Sequence, residues 1–187
     1  MLSREDILRG LGQLDDRAKK SGVIVELSLY GGAALALAFD LRQATRDVDA
    51  VVHGAPDFLR DAVREIADAE GWPEDWLNDG VKGFLAAEEE KRLIGLFSAS
   101  PEGGLRVFVP TPEYLFAMKC MAMRPEGLAG SHDISDIEAL ADIAGIADVE
   151  TAFALVETFY PAARISPKVK FGLEEIMERI SERRKSK

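Results

Sequence analysis

Two aspartates, Asp47 and Asp49, flank Val48 just before the apolar run Ala50, Val51 and Val52. Successive side chains on a strand point to opposite faces, so a strand starting here puts both carboxylates on one face, roughly 6.5 Å apart along its axis. Two carboxylates at one edge repel each other and resist desolvation unless a cation lies between them, which is how oxygen-liganded Mg²⁺ sites are commonly built. Just upstream, residues 23–30 are rich in β-branched and large apolar side chains and run straight into Gly31-Gly32. Residues 33–39 are small and apolar, and suit a short helix packed closely on a sheet. The stretch 30–52 therefore demands a strand, a tight glycine turn, a short helix and a second strand that opens on acids. Glycine suits a turn where backbone must come close to a ligand.

The rest of the chain reads around that unit. A helix starts at Ser3, whose pairing with Asp6 resembles a capping box, and carries Ile7, Leu11, Leu14 and Ala18 on one face until Gly22. Pro56 stands at a first helical position, with Leu59, Val63 and Ile66 as an apolar stripe before Gly71. Residues 72–90 have no clean period and read as loop with some helix. Residues 92–98 and 105–109 are β-like runs joined by Pro101-Glu102-Gly103-Gly104, the pattern of a hairpin. Thr111-Pro112 caps the helix PEYLFAMKCMAMR. After a Gly/Pro-containing loop, Ser131 or Ser135 caps a helix that ends at Gly145, and two more helices follow, after Asp148 and after Ser166-Pro167. The expected class is α+β, a small mixed sheet with helices on one side plus a C-terminal helical part. The expected division is 1–110 for the core and 111–187 for the helical part, together one compact unit.

Charge and cysteine usage narrow the function. A formal net charge of −10 argues against a broad cationic surface for duplex DNA or acidic membrane. The single cysteine, Cys120, has no internal disulfide partner and reads as a small core residue. Residues 1–13 carry acids early and hold no long apolar run, and no stretch reaches the ~20 apolar residues of a membrane span. The expectation is a cytoplasmic protein.

Three charged residues stand out downstream. Lys119 has Leu115, Phe116, Ala122 and Met123 as its i±3 and i±4 neighbours, so a charge sits within an apolar helix face. Either its stem is buried with the ammonium snorkelling to water, or it points into a cleft as a phosphate ligand. Asp133 and Asp136 fall three apart on one side of a helix's first turn, as dipole complements or as site residues. With two histidines, His53 and His132, zinc and a histidine-based triad have no support. Trp72 and Trp76 fit local packing better than base stacking. The basic end, ERRKSK, reads as a solvated helix end or as a contact for an RNA backbone.

Gly-Gly, a short helix, then Asp-x-Asp at the start of a strand, here GGAALALAFDLRQATRDVDAVV, resembles the nucleotidyltransferase superfamily, whose fold is that of the polymerase beta palm. Residues 45–49 (TRDVD), with PEYLFAMKCMAMR and SHDISDIEAL, resemble more narrowly the AbiEii-type nucleotidyltransferases, toxins of bacterial toxin–antitoxin pairs, and their relatives. The resemblance implies transfer of a nucleotide from an NTP to an acceptor, tRNA or protein, with an antitoxin as partner. It implies Asp47 and Asp49 as ligands of Mg²⁺ or Mn²⁺, and Gly31 and Gly32 with their N–H groups on the phosphates. Lys119 would hold a phosphate oxygen, and Thr45 and Arg46 would add contacts. The superfamily usually supplies a third carboxylate from a neighbouring strand, where LRVFV presents Arg106; either Asp133 or Asp136 then substitutes from the acidic helix, or the site holds one metal weakly. The alternatives are a non-catalytic nucleotide- or partner-binding module of the same fold, and a transferase acting on small cationic acceptors of the aminoglycoside type.

Overall fold

A computed structural model describes residues 1–97, 99–124 and 132–186. The first helix, α1 (Arg4–Lys20), begins as the sequence predicts: Asp6 N–H donates to the Ser3 hydroxyl (3.1 Å) and the Asp6 carboxylate accepts the Ser3 N–H (2.9 Å). The Ser3 hydroxyl, then the Ser3 N–H and the Arg9 guanidinium, hold the Asp6 carboxyl down at about 2. Ile7, Leu11, Leu14 and Ala18 are all buried.

Two compact units make up the chain, Met1–Gly83 with Lys91–Pro110, and Phe84–Glu90 with Thr111–Lys187. In the first, the predicted order of helix, strand, short helix, strand, helix and hairpin is present as α1, β2 (Ile24–Leu29), α2 (Gly31–Ala38), β4 (Val48–His53), α3 (Pro56–Glu70), β6 (Lys91–Ile94) and β7 (Gly104–Pro110). Three two-residue strands join them: β1 (Leu2–Ser3), β3 (Ala44–Thr45) and β5 (Leu77–Asn78). β1 pairs with β3, and the main sheet runs β5-β4-β2-β7-β6, with β2/β7 and β4/β5 parallel and the other pairs antiparallel. Val25, Leu27 and Leu29 alternate onto one face beside Leu105, Val107 and Val109, and all six are fully buried. Helix α1 packs on β2 and β7 and touches α2 and α3. Its buried Asp15 ties it to the sheet, accepting the Leu105 N–H (2.8 Å) and the Lys19 ammonium (2.7 Å).

Residues 72–90, read as irregular, supply more than a loop. Trp76 is buried with its ring N–H on the Val63 carbonyl (3.1 Å), and both Trp72 and Trp76 crowd Gly10 of α1, where an added Cβ would lie 2.8 Å from Trp76 and 2.9 Å from Trp72. The tryptophans are packing residues. Beyond them come β5 and a 3₁₀ turn over Gly80–Phe84.

The second unit is helical: α4 (Pro112–Ala122), α5 (Asp133–Ile143), α6 (Val149–Phe159) and α7 (Pro167–Lys185). Thr111, Asp148 and Ser166 cap their helices by side-chain bonds. Of the two serines expected to cap α5, Ser131 lies outside the described residues. Ser135 sits inside the helix with its hydroxyl on the His132 carbonyl (3.0 Å), and His132 takes the cap position. Residues 84–90 group here because two buried tyrosines hold them: Ala86 N–H donates to the Tyr114 hydroxyl (2.9 Å) and the Tyr160 hydroxyl donates to the Phe84 carbonyl (2.6 Å). Burial pushes both phenols up. The basic end of α7 is bound within the unit, with Arg183 and Arg184 on Asp142 at 2.6 and 2.9 Å. Among the described residues no helix is long and apolar enough to cross a membrane.

Candidate active site

At the end of β2 the chain turns into α2 beside the acidic strand. Tyr30 N–H donates to the Asp49 carbonyl (2.9 Å), which joins the turn to β4. Gly31, expected in a turn ahead of the helix, is its first residue, with φ +54 in the left-handed region that favours glycine. A Cβ added to Gly31 would lie 2.5 Å from Asp49 Oδ2, so the carboxylate rests directly against the helix N-terminus. On Gly32 a Cβ would overlap the Thr45 hydroxyl and come 3.4 Å from Arg42 Nη1. The Tyr30 side chain, at the cap position, makes no cap hydrogen bond to α2. Its first N–H groups and the helix dipole make this end attractive to anions.

Asp47 and Asp49 are both half-buried and, by strand alternation, share the sheet face opposite Leu27 and Leu29. Asp49 stands level with Asn78 on the parallel neighbour β5, and the Asn78 amide donates to Asp47 Oδ2 (3.1 Å). Asn78 Oδ1 in turn accepts the Gly80 N–H (2.9 Å), and a Cβ on Gly80 would sit 3.9 Å from Asp49 Oδ1. Asn78, Gly80 and Arg42 were not singled out from the sequence. The signal was there for one of them: Asn-Asp-Gly is an Asn-led turn, but only the pairing of β4 with β5 carries it to the aspartates.

Other sequence candidates fall at different distances from this edge. Thr45 is buried in β3 against Gly32. Arg46 is exposed. Arg106, read as the stand-in for a third carboxylate, is level with Glu26 and His53 at the far end of β4, and bonds Glu26 at 2.8 Å. Ser28 lies on the same face as the acids, opposite Val51, fully buried and with no hydrogen-bond partner for its hydroxyl.

The second unit gathers the remaining three candidates. Lys119 on α4 places its ammonium 2.7 Å from Asp136 and 3.6 Å from Asp133, at the start of α5. Asp133 also accepts the Arg124 backbone N–H and guanidinium, both at 3.1 Å. The aspartates are 4% and 5% exposed, and the Lys119 side chain 13%. The snorkelling expectation is thus corrected: the ammonium is held by carboxylates because two acids meet it where water would otherwise have to. Cys120 next to it is buried, and burial pushes its thiol up.

A family model described as nucleotidyltransferase of unknown function (DUF6036) matches residues 6–165. The chain belongs to this family. No curated protein and no solved structure matches it. The DUF6036 match spans every candidate residue in both units and ends just before α7. Nucleotidyl transfer, with a nucleotide as substrate, is therefore the general activity of this chain.

The acidic edge of the DUF6036 chain fits a magnesium-sized cation by its donor chemistry. Among the described residues no three His, Cys, Asp or Glu side chains gather as a metal-holding set. Mg²⁺ needs fewer: it is usually bound by one or two carboxylates and completes its octahedron with water and substrate phosphates. Two same-face carboxylates beside a helix N-terminus offer that combination, with glycine at 31, 32 and 80 keeping the surroundings clear.

Proposed function

We propose that the chain is a metal-dependent nucleotidyltransferase that uses Asp47 and Asp49 to hold Mg²⁺ or Mn²⁺ and moves a nucleotide from an NTP to an acceptor hydroxyl. The observation that carries this reading is the Asp49 carboxylate lying against Gly31 at the N-terminus of α2, so that a cation ligand and an anion-binding backbone share one corner. The ion would supply neutralisation and alignment of the triphosphate oxygens. The chain's own part is positioning. Gly31 and Gly32 bring backbone N–H groups to the phosphates, and Thr45 lies directly behind them with Arg42 nearby. The acceptor oxygen attacks the α-phosphorus in line and pyrophosphate leaves with the electron pair of the broken P–O bond, while the acceptor hydroxyl gives its proton to water. As the resemblance implies, Lys119 is proposed as a phosphate ligand and Asp133 or Asp136 as the acid that stands in for a third carboxylate. Arg46, exposed beside Asp47, is proposed to contact the acceptor or the nucleotide.

The narrower resemblance supports tRNA or a protein as acceptor, a role as the toxin of a toxin–antitoxin pair, a partner antitoxin and a cytoplasmic site of action. Incubation with labelled NTPs, Mg²⁺ and total RNA or total protein tests the reading. Metal-dependent labelling that disappears in Asp49→Ala is expected; labelling unaffected by Asp49→Ala sinks it. A second reading, a nucleotide-binding module without turnover, is favoured by the lack of a three-acid set among the described residues. Tight NTP binding with no labelled product under any acceptor would select it. Labelling of a cationic aminoglycoside instead of RNA or protein would point to the small-molecule type.

A further inference from the structure

We infer that Asn78 is a positioning residue for Asp47, fixing which of its carboxylate oxygens meets the cation; this rests on the metal reading proposed above. Three observations converge on it. First, the parallel neighbour β5 brings a polar side chain, Asn78, level with Asp49, whereas Arg106 on β7 lies level with the opposite end of β4. Second, the amide orientation is set by chemistry. Gly80 N–H can only donate, so Asn78 Oδ1 must face it and the NH₂ must face Asp47 Oδ2. Third, Asp47 precedes β4 and lacks the ladder support that Asp49 has, and among the described residues Asn78 is its hydrogen-bond partner.

A neutral donor suits this task better than a cation. Lysine or arginine at position 78 would orient Asp47 but cancel the charge that attracts a metal ion. An amide occupies Oδ2 and leaves Oδ1 and the full negative charge for the ligand. The sequence departs here from a three-carboxylate edge, and the amide takes the place of a third acid by holding one of the two that are present.

Two substitutions separate orientation from folding. Asn78→Asp keeps the acceptor for Gly80 N–H and replaces the donor to Asp47 by a second anion; Asn78→Ala removes both. Mn²⁺ binding is measured by loss of the free-ion electron paramagnetic resonance signal, and melting temperature is recorded with and without Mn²⁺. Asn78→Ala is expected to weaken Mn²⁺ about 10-fold, the size of an outer-shell loss, and to have no further effect in an Asp47→Asn background. Asn78→Asp is expected to melt lower without metal and to gain more from Mn²⁺ than wild type, as a third carboxylate relieved by the ion would. If both variants bind Mn²⁺ as tightly as a wild type that binds well, the positioning role is overturned while the metal reading stands. A wild type that shows neither binding nor a melting shift overturns the metal reading, and Asn78's role with it.

Discussion

Each unit carries a pair of aspartates spaced to share one side of its element, i and i+2 on a strand in the first and i and i+3 on a helix in the second. Their surroundings are opposite. Asp47 and Asp49 are half-buried at a sheet edge, where Asp49 lies against Gly31 and Asp47 accepts the Asn78 amide. Asp133 and Asp136 are almost fully buried and face Lys119 and Arg124. Similar residues at similar spacing therefore sit in different settings: the edge pair is half-buried, and the helix pair meets cations inside the protein. Spacing reports which acids act together, and environment decides what they act on.

The largest expected effect tests the buried pair. Asp136→Ala leaves the Lys119 ammonium without its 2.7 Å partner in a nearly buried cluster, and should lower the unfolding free energy by ~3–5 kcal/mol in urea titrations. A loss below ~1 kcal/mol would mean that water reaches the cluster and that the contrast with the edge is false.

Gly31→Ala strikes the edge. It forces a side chain into a left-handed conformation and puts a Cβ 2.5 Å from Asp49 Oδ2, so a stability loss of ~1–3 kcal/mol should accompany a larger loss of NTP-dependent labelling. Unchanged labelling would show that the Asp49 carboxylate does not need its place against α2.

The smallest effect has the opposite sign. Ser28→Ala removes a buried hydroxyl that has no partner, and should raise stability by ~1 kcal/mol in the same titrations. A fall in stability would show that the hydroxyl is satisfied in solution.

Much of this was readable before folding. The Ser3–Asp6 box, Pro56 at the start of α3, Thr111, Asp148 and Ser166 as caps, and the alternation in β2 and β7 are local signals, because each depends on residues within one turn or one strand. The two-residue strands were not readable. Leu77 and Asn78 become β5 only by pairing with Val48 and Asp49, roughly thirty positions earlier. Ser135 was misplaced as a cap for a related reason: several polar residues precede α5, and their letters alone do not select the one that adopts the cap conformation.

By itself the sequence determined that a glycine turn, a short helix and a strand opening on Asp47 and Asp49 would follow one another, because turn chemistry and strand alternation act over a few residues. Only the tertiary structure decided what surrounds them. Strand order sent Arg106 to the far end of β4 and brought Asn78 to the near one, and the packing of α4 against α5 gave the Lys119 charge to Asp136. Register and burial are properties of distant segments meeting, so no local pattern encodes them.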